Sequence, residues 1–186
     1  NVQNCLAAIG VALEMNIDAS RILGALAKFG GDGRRIETNS VSNGVTIIDD
    51  YGHHPVEIKA ALKAGRMLSG HHKLIAVVQP HRYSRLADLF ADFCSCFNDA
   101  DEVLVADIYA AGEAPIEGAD KAALVAGLRD HGHKAASGLE GPNQLAAEIT
   151  SRTSSGDVVM CLGAGDITTW AAALPHELDK LAGEST

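Results

Sequence analysis

Several things are missing from this 186-residue chain, and each absence removes a class of function. No apolar run approaches the 18 or so residues of a membrane span, and no secretory signal opens the sequence, so neither a membrane nor an exported protein is expected. Basic residues are outnumbered: 15 Lys and Arg face 24 Asp and Glu, for a formal net charge of -9. Such a chain has little with which to neutralise a phosphate backbone over a broad face. That argues against nucleic acid and anionic membranes as partners, while leaving room for one local basic pocket. The four cysteines, Cys5, Cys94, Cys96 and Cys161, form no CxxC pair. Cys94 and Cys96 fall two apart in a helical pattern and point in different directions, so reduced, mostly buried thiols in a cytoplasmic protein are expected. There is no G-x-x-x-x-G-K-[ST] loop, the usual cradle for ATP phosphates. Internal repeats and low-complexity segments are absent too. The chain opens mid-pattern without Met, as a piece cut from a longer polypeptide would.

What remains is a chain 47% hydrophobic, enough for a sizeable core. "NVQNCLAAIGVALEMNI" carries Leu6, Ile9 and Leu13 at helical spacing, and "DASRILGALAKF" reads as a second helix capped by Asp18. "GGDG" at 30–33 ends it, and the pattern then changes, which marks the domain boundary. If those helices are left without their own domain, Leu6, Ile9, Leu13 and Leu26 form an apolar patch. Beyond the boundary, strands are expected near 34–41, 45–49, 74–79, 102–107, 134–137 and 157–162, and helices near 55–68, 84–97, 120–131, 142–152 and 167–181. "LIAVV" and "VVMCL" do not alternate, so they are buried on both faces. The fold class is therefore α/β: a Rossmann-like, mostly parallel open sheet with helices on both faces, preceded by two helices. The turn "SNG" leaves open a hairpin between the first two strands, with one of them antiparallel.

In such a sheet ligands bind beyond the carboxyl ends of the strands. The chemically capable residues gather there: "DDYGHHP" after one strand, "QPHRYSR" after the next, "DIYAAGE" after the third and "LGAGDI" after the last. Asp49, Asp50, Tyr51, His53, His54, His81, Arg82, Arg85 and Glu113 would then converge on one cleft. Pro55 and Gly52 suit a helix start and a turn, and adjacent histidines point apart, so a two-histidine metal site is not expected. Arg82 and Arg85 stand three apart at a helix N-terminus, where cations oppose the helix dipole. A bound carboxylate or phosphate would offset that conflict; the plainer alternative is salt bridges to Asp88 or Asp92. "GAG" at 163–165 reads as a structural turn, and the histidines at 71, 72, 131, 133 and 176 as solvated element ends.

With those motifs in place, the chain resembles the C-terminal part of a Mur ligase, of the branch that attaches L-alanine to UDP-N-acetylmuramate in peptidoglycan synthesis. "DDYGHHPVEI", "QPHRYSR", "YAAGE" and "LGAGDI" match in type and order, and "NVQN" followed by "GRR" is similar to the end of the family's ATP-binding central domain. The resemblance covers essentially the whole chain, and "PHRYSR" is its most specific part. It implies that 1–33 are the last helices of the central domain and 34–186 the Rossmann-like domain that closes the site. It also implies a reaction in which ATP, with Mg²⁺, turns the sugar-linked carboxylate into an acyl phosphate that the alanine amino group attacks. Asn1 and Asn4 would meet adenine, and Arg35, with Arg34 beside it, and Asp50 the ribose or nearby phosphates. Tyr51 and His53 would face the junction of nucleotide and amino acid. His81, Arg82 and Arg85 would hold the alanine carboxylate, with His53, His81 and Arg82 as the catalytic set. The P-loop, the main Mg²⁺ ligands and the UDP-binding domain lie outside this chain, so no metal ligand is expected in it and the fragment alone is expected to be inactive. Its partners would be UDP-N-acetylmuramate, L-alanine, ATP and the missing N-terminal and central domains. A related ligase acting on another amino acid or a peptide, and a non-catalytic Rossmann-like module that binds a nucleotide or small anion, remain the alternatives.

Overall fold

The computed structural model describes residues 2–28 and 37–184, with side chains over 5–28 and 40–183. The chain falls into two compact units, Asn1–Gly33 and Arg34–Thr186. In the first, α1 (Val2–Glu14) and α2 (Ala19–Lys28) are joined through Asn16, whose φ of 56° breaks the helix. Asp18 caps α2: its carboxylate accepts the Ser20 N–H at 3.0 Å. Leu6 and Leu13 are exposed, as are Val11 and Leu23, while Ile9 and Leu26 are partly buried.

The second unit is built on one six-stranded sheet, ordered β1-β2-β6-β3-β4-β5. β1 (Glu37–Ser42) and β2 (Val45–Asp50) form the antiparallel hairpin that the sequence left open. Asn43 and Gly44 connect them with φ of 52° and 80°, the two positive values that a two-residue type I′ turn requires. β6 (Val158–Leu162) lies parallel between β2 and β3 (Leu74–Val78); β4 (Glu102–Val105) and β5 (Ala136–Gly138) follow, also parallel. Every residue of β3 and β6 is buried, because helices cover both faces.

On one face α3 (Pro55–Ser69), α4 (Tyr83–Asp88), α5 (Phe90–Ser95) and α6 (Lys121–Asp130) contribute Ile58, Leu62, Leu86, Phe93 and Leu124 to a core with Ile48, Val78 and Met160. On the other, α7 (Pro142–Arg152) and α8 (Ile167–Glu184) pack Ile149 and Leu174 against Ile47, Val77 and Val159. Each large side chain so buried stabilises the fold by about 1.5–3 kcal/mol. Cys94, Cys96 and Cys161 belong to these cores, and burial pushes the Cys96 and Cys161 thiols up to about 12, leaving them unreactive.

One expected element divides. The helix read over 84–97 breaks at Leu89, whose φ and ψ of -117° and 23° separate α4 from α5. Periodicity gives no sign of it, since Leu86 and Phe93 stand seven apart as they would on one continuous helix. No helix among the described residues is long and apolar enough to cross a membrane.

Candidate functional site

Because β2, β6, β3 and β4 are neighbours in the sheet, the loops at their carboxyl ends form one continuous surface. Backbone hydrogen bonds join them across the strands: the Gly163 N–H donates to the Asp50 carbonyl at 3.1 Å, and the Arg82 N–H to the Tyr109 carbonyl at 2.9 Å. Gln79, buried at the end of β3, ties two of them. Its Nε2 donates to Asp166 Oδ1 at 2.6 Å, and its Oε1 accepts the Ile167 N–H at 3.2 Å. The "GAG" glycines permit this approach. A Cβ at Gly165 would stand 2.4 Å from Gln79 Oε1 and 2.6 Å from Tyr109 Cγ.

The loop after β2 separates its histidines by task. His54 is the N-cap of α3: its Nδ1 accepts the Val56 N–H, while Glu57 reaches back to the His54 N–H. His53 turns instead toward Tyr51, ring centroids 5.0 Å apart and nearly perpendicular, and toward His81 at 5.8 Å. Asp50 is buried, its Oδ1 accepting the Gly52 N–H at 2.8 Å. Asp49 is also buried and accepts from the Thr168 hydroxyl, away from the cleft residues it was expected to join.

The arginine pair is placed differently from a simple helical i, i+3 pair. Arg82 is not in α4 but is its N-cap, with a φ of 73° that a non-glycine residue adopts at a strain of about 1–3 kcal/mol. Its hydrogen bond to Tyr109, and the bond from the Tyr109 N–H to the Pro80 carbonyl, hold that turn. Neither expected bridge, to Asp88 or Asp92, forms among the described residues. Arg82 Nη1 lies 3.9 Å from Glu113 Oε1, and Arg85 Nη1 lies 3.2 Å from His81 Nδ1. Glu113 resolves the conflict of charge and dipole: its carboxylate accepts from both the Ser84 N–H at 2.9 Å and the Ser84 hydroxyl at 2.7 Å. Those two bonds, with Arg82 nearby, hold the Glu113 carboxyl below the usual carboxylate range. Burial, then the charges of Arg85, His53 and Arg82, lower the His81 pKa against a smaller opposing pull from Glu113. The charged form of the His81 ring is therefore disfavoured, and the ring is stacked on Tyr109 with centroids 5.4 Å apart.

Of the residues expected in the cleft, Tyr51, His53, His81, Arg82, Arg85 and Glu113 come together; His54 caps α3, Asp49 accepts from Thr168, and Asp50 stays in the loop after β2, accepting the Gly52 N–H. Asn1 and Arg35 lie outside the described residues, as does the side chain of Asn4. Tyr109 and Gln79 stand out in no motif, although a glutamine ending the apolar run "LIAVVQ" is a legible sign of a buried polar tie. Of the histidines expected to be solvated, His133 differs: it is partly buried, its Nε2 3.0 Å from the Ala100 carbonyl. Among the described residues no group of three or more His, Cys, Asp or Glu is arranged to hold a metal ion.

A doubly wound domain with two arginines and neutral imidazole at its carboxyl edge has the form of a small-anion site on a Rossmann-like scaffold. The chain belongs to the Mur ligase family: the profile described as Mur ligase, glutamate ligase domain, matches residues 34–165. It is 59% identical over 185 residues to the UDP-N-acetylmuramate–L-alanine ligase of Rhodospirillum centenum, covering 100% of this chain and 38% of that protein. The ligase of the same name from Caulobacter vibrioides is 56% identical, covering 97% and 38%. Among solved structures, the UDP-N-acetylmuramate-alanine ligase of Thermotoga maritima superposes with a TM-score of 0.70 at 26% identity, covering 100% of this chain and 38% of its own. The chain thus spans about 38% of the length of the curated relatives it matches.

Proposed function

We propose that this chain is the amino-acid-binding, closing portion of an ATP-dependent ligase that joins L-alanine to UDP-N-acetylmuramate in peptidoglycan precursor synthesis, in the cytoplasm. The observation that carries the reading is the cationic cluster of Arg82 and Arg85 beside His53 and His81 at the strand ends, in a chain 59% identical to a ligase of that name. Arg82 and Arg85 hold the α-carboxylate of alanine, since guanidinium forks match carboxylates. His53 and His81 line the place where the amino group meets the activated acyl carbon, and Tyr51 and Asp50 face the nucleotide. Residues 1–33 belong to the central ATP-binding domain, with Asn1 and Asn4 assigned to adenine and Arg35 to the ribose or nearby phosphates by the family resemblance. ATP, when bound with Mg²⁺ held elsewhere in the longer polypeptide, supplies the phosphoryl group that activates the sugar-linked carboxylate. The chain's own share is positioning: the zipped loops after β3 and β4 fix Arg82 in a turn it would not adopt alone, so the carboxylate meets preset donors.

The test is phosphate release by the full-length protein with ATP, UDP-N-acetylmuramate and L-alanine, wild type against Arg82→Ala. Release that needs alanine, and in the mutant needs far more of it, supports the reading. Release indifferent to alanine, or stimulated instead by a tripeptide, overturns it in favour of another ligase.

A further inference from the structure

We propose that the two site histidines are held in opposite tautomers: His53 carries its proton on Nδ1 and presents a lone pair at Nε2, whereas His81 carries its proton on Nε2 and presents a donor. The assignment follows from what each neighbour can do. His53 Nδ1 lies 2.9 Å from the Tyr51 carbonyl oxygen, which only accepts, and 3.8 Å from Glu57 Oε2, a second acceptor. The proton of the neutral ring therefore sits on Nδ1. His81 Nδ1 lies 3.2 Å from Arg85 Nη1, which only donates, so that nitrogen accepts and the proton sits on Nε2. The same Nη1 also donates to the His81 carbonyl at 3.2 Å, which anchors the guanidinium. Tyr109, stacked at 14° to the ring, fixes its plane. Among the described residues neither Nε2 has a hydrogen-bond partner. His81 could gain a proton at Nδ1 only by displacing Arg85, and its lowered pKa agrees with a ring that stays a neutral donor.

Two imidazoles whose centroids are 5.8 Å apart thus offer opposite polarity to whatever lies against them. The chemistry assigned to them rests on the ligase reading. The amino group arrives as an ammonium and must lose one proton before its lone pair can form the C–N bond, and a second as the amide forms. The electron pair of the breaking C–O bond leaves with phosphate. His53 Nε2 is the group able to take the first proton from nitrogen, and the departing phosphate oxygens can take the second. His81 Nε2–H is the group able to donate to the acyl oxygen as it gathers negative charge. Sequence alone offers no such division, since "GHH" and "PHR" name histidines without their partners.

The experiment labels the full-length protein with ¹⁵N-histidine and reads tautomers from long-range ¹H–¹⁵N correlations, with His53→Gln and His81→Gln used to identify each ring. The expected result is an Nδ1–H ring at 53 and an Nε2–H ring at 81, and in Arg85→Met a loss of the preference at 81 alone. The same tautomer in both rings, or an Nδ1–H ring at 81, overturns the proposal. Kinetics then test the roles. His53→Gln should lower kcat about a hundredfold with the alanine KM changed less than about threefold. His81→Gln, which restores a donor near Nε2, should lose less than about tenfold where His81→Leu loses about a hundredfold. A fully active His53→Gln, or a His81→Gln as impaired as His81→Leu, sinks the division of labour. Tautomers as stated in a protein without alanine-dependent phosphate release would overturn the ligase reading while leaving the tautomers standing.

Discussion

The two edges of the sheet differ in how they hold charge. At the amino edge three cations meet anions: Arg66 Nη2 lies 2.7 Å from Asp101 Oδ2, Lys73 Nζ 2.8 Å from Glu102 Oε1, and Arg152 bonds both Glu102 at 3.0 Å and Glu148 at 2.6 Å. At the carboxyl edge Arg85 bonds a neutral histidine, and Arg82 stands 3.9 Å from a Glu113 carboxylate already engaged by Ser84. The backbone differs in residue type: Arg82 and Ala111, both with positive φ, lie in the carboxyl-edge loops, whereas at the amino edge positive φ falls on glycines and on Asn43, a residue type that tolerates it. An edge that pairs its charges stabilises the fold. The edge that leaves positive charge incompletely paired and holds strained backbone is the one at which the anion site is proposed.

That contrast can be broken at either edge. The largest effect is expected from Arg82→Ala in the full-length protein. The alanine KM should rise about a hundredfold, equivalent to about 2.7 kcal/mol. Thermal stability should stay within about 0.5 kcal/mol, because the ion pair lost, to Glu113 at 3.9 Å, is long and solvent-exposed at Arg82. An equal loss of stability and of alanine affinity would erase the distinction. Gly165→Ala comes next. Its Cβ would collide with Gln79 and Tyr109, so the loops must part at a cost of about 2 kcal/mol, read as a melting temperature lower by about 4–8 °C. Glu102→Gln, at the other edge, should cost about 1–2 kcal/mol of stability while the alanine KM stays at the wild-type value. A changed KM there would mean that the edges are coupled.

The smallest effect is the pH dependence. Burial opposes the ionisation of Asp101 and Glu102, but hydrogen bonds from Arg66 and the Leu74 N–H, and from Lys73 and Arg152, outweigh it and lower both pKa values; Ser84 does the same for Glu113. Carboxyls so lowered contribute stability above their unfolded values of about 4, and that stability is lost as pH falls through the folded ones. His81 adds to the trend from about pH 6.5 downward, since the unfolded chain takes up its proton more readily than the folded one. Stability should therefore decline on acidification, and Glu102→Gln should shallow the steep part of that curve in denaturant titrations at successive pH values.

The strands, the hairpin turn and the two-sided burial were legible because each depends on local pattern: "LIAVV" and "VVMCL" admit little but buried strands, and "SNG" suits a primed turn. The gathering of "DDYGHHP", "QPHRYSR" and "DIYAAGE" at one edge was also legible, since it follows from strand direction alone. The break at Leu89 was not, because the apolar spacing on either side fits one helix. Nor was the removal of His54 and Asp49 to capping and to Thr168, which depends on partners rather than on residue type. By itself, then, the sequence determined the fold class, the sheet edge at which the polar motifs gather and the family. Only the tertiary structure decided which histidine faces the cleft, how Arg82 is turned and where each imidazole proton sits. The physical reason is one of range: hydrophobic periodicity is written in neighbouring residues, whereas a tautomer or a strained dihedral is set by neighbours in space. Tyr109 reaches Arg82 and His81 from the next strand's loop, and Glu113 reaches Ser84 from 29 residues away.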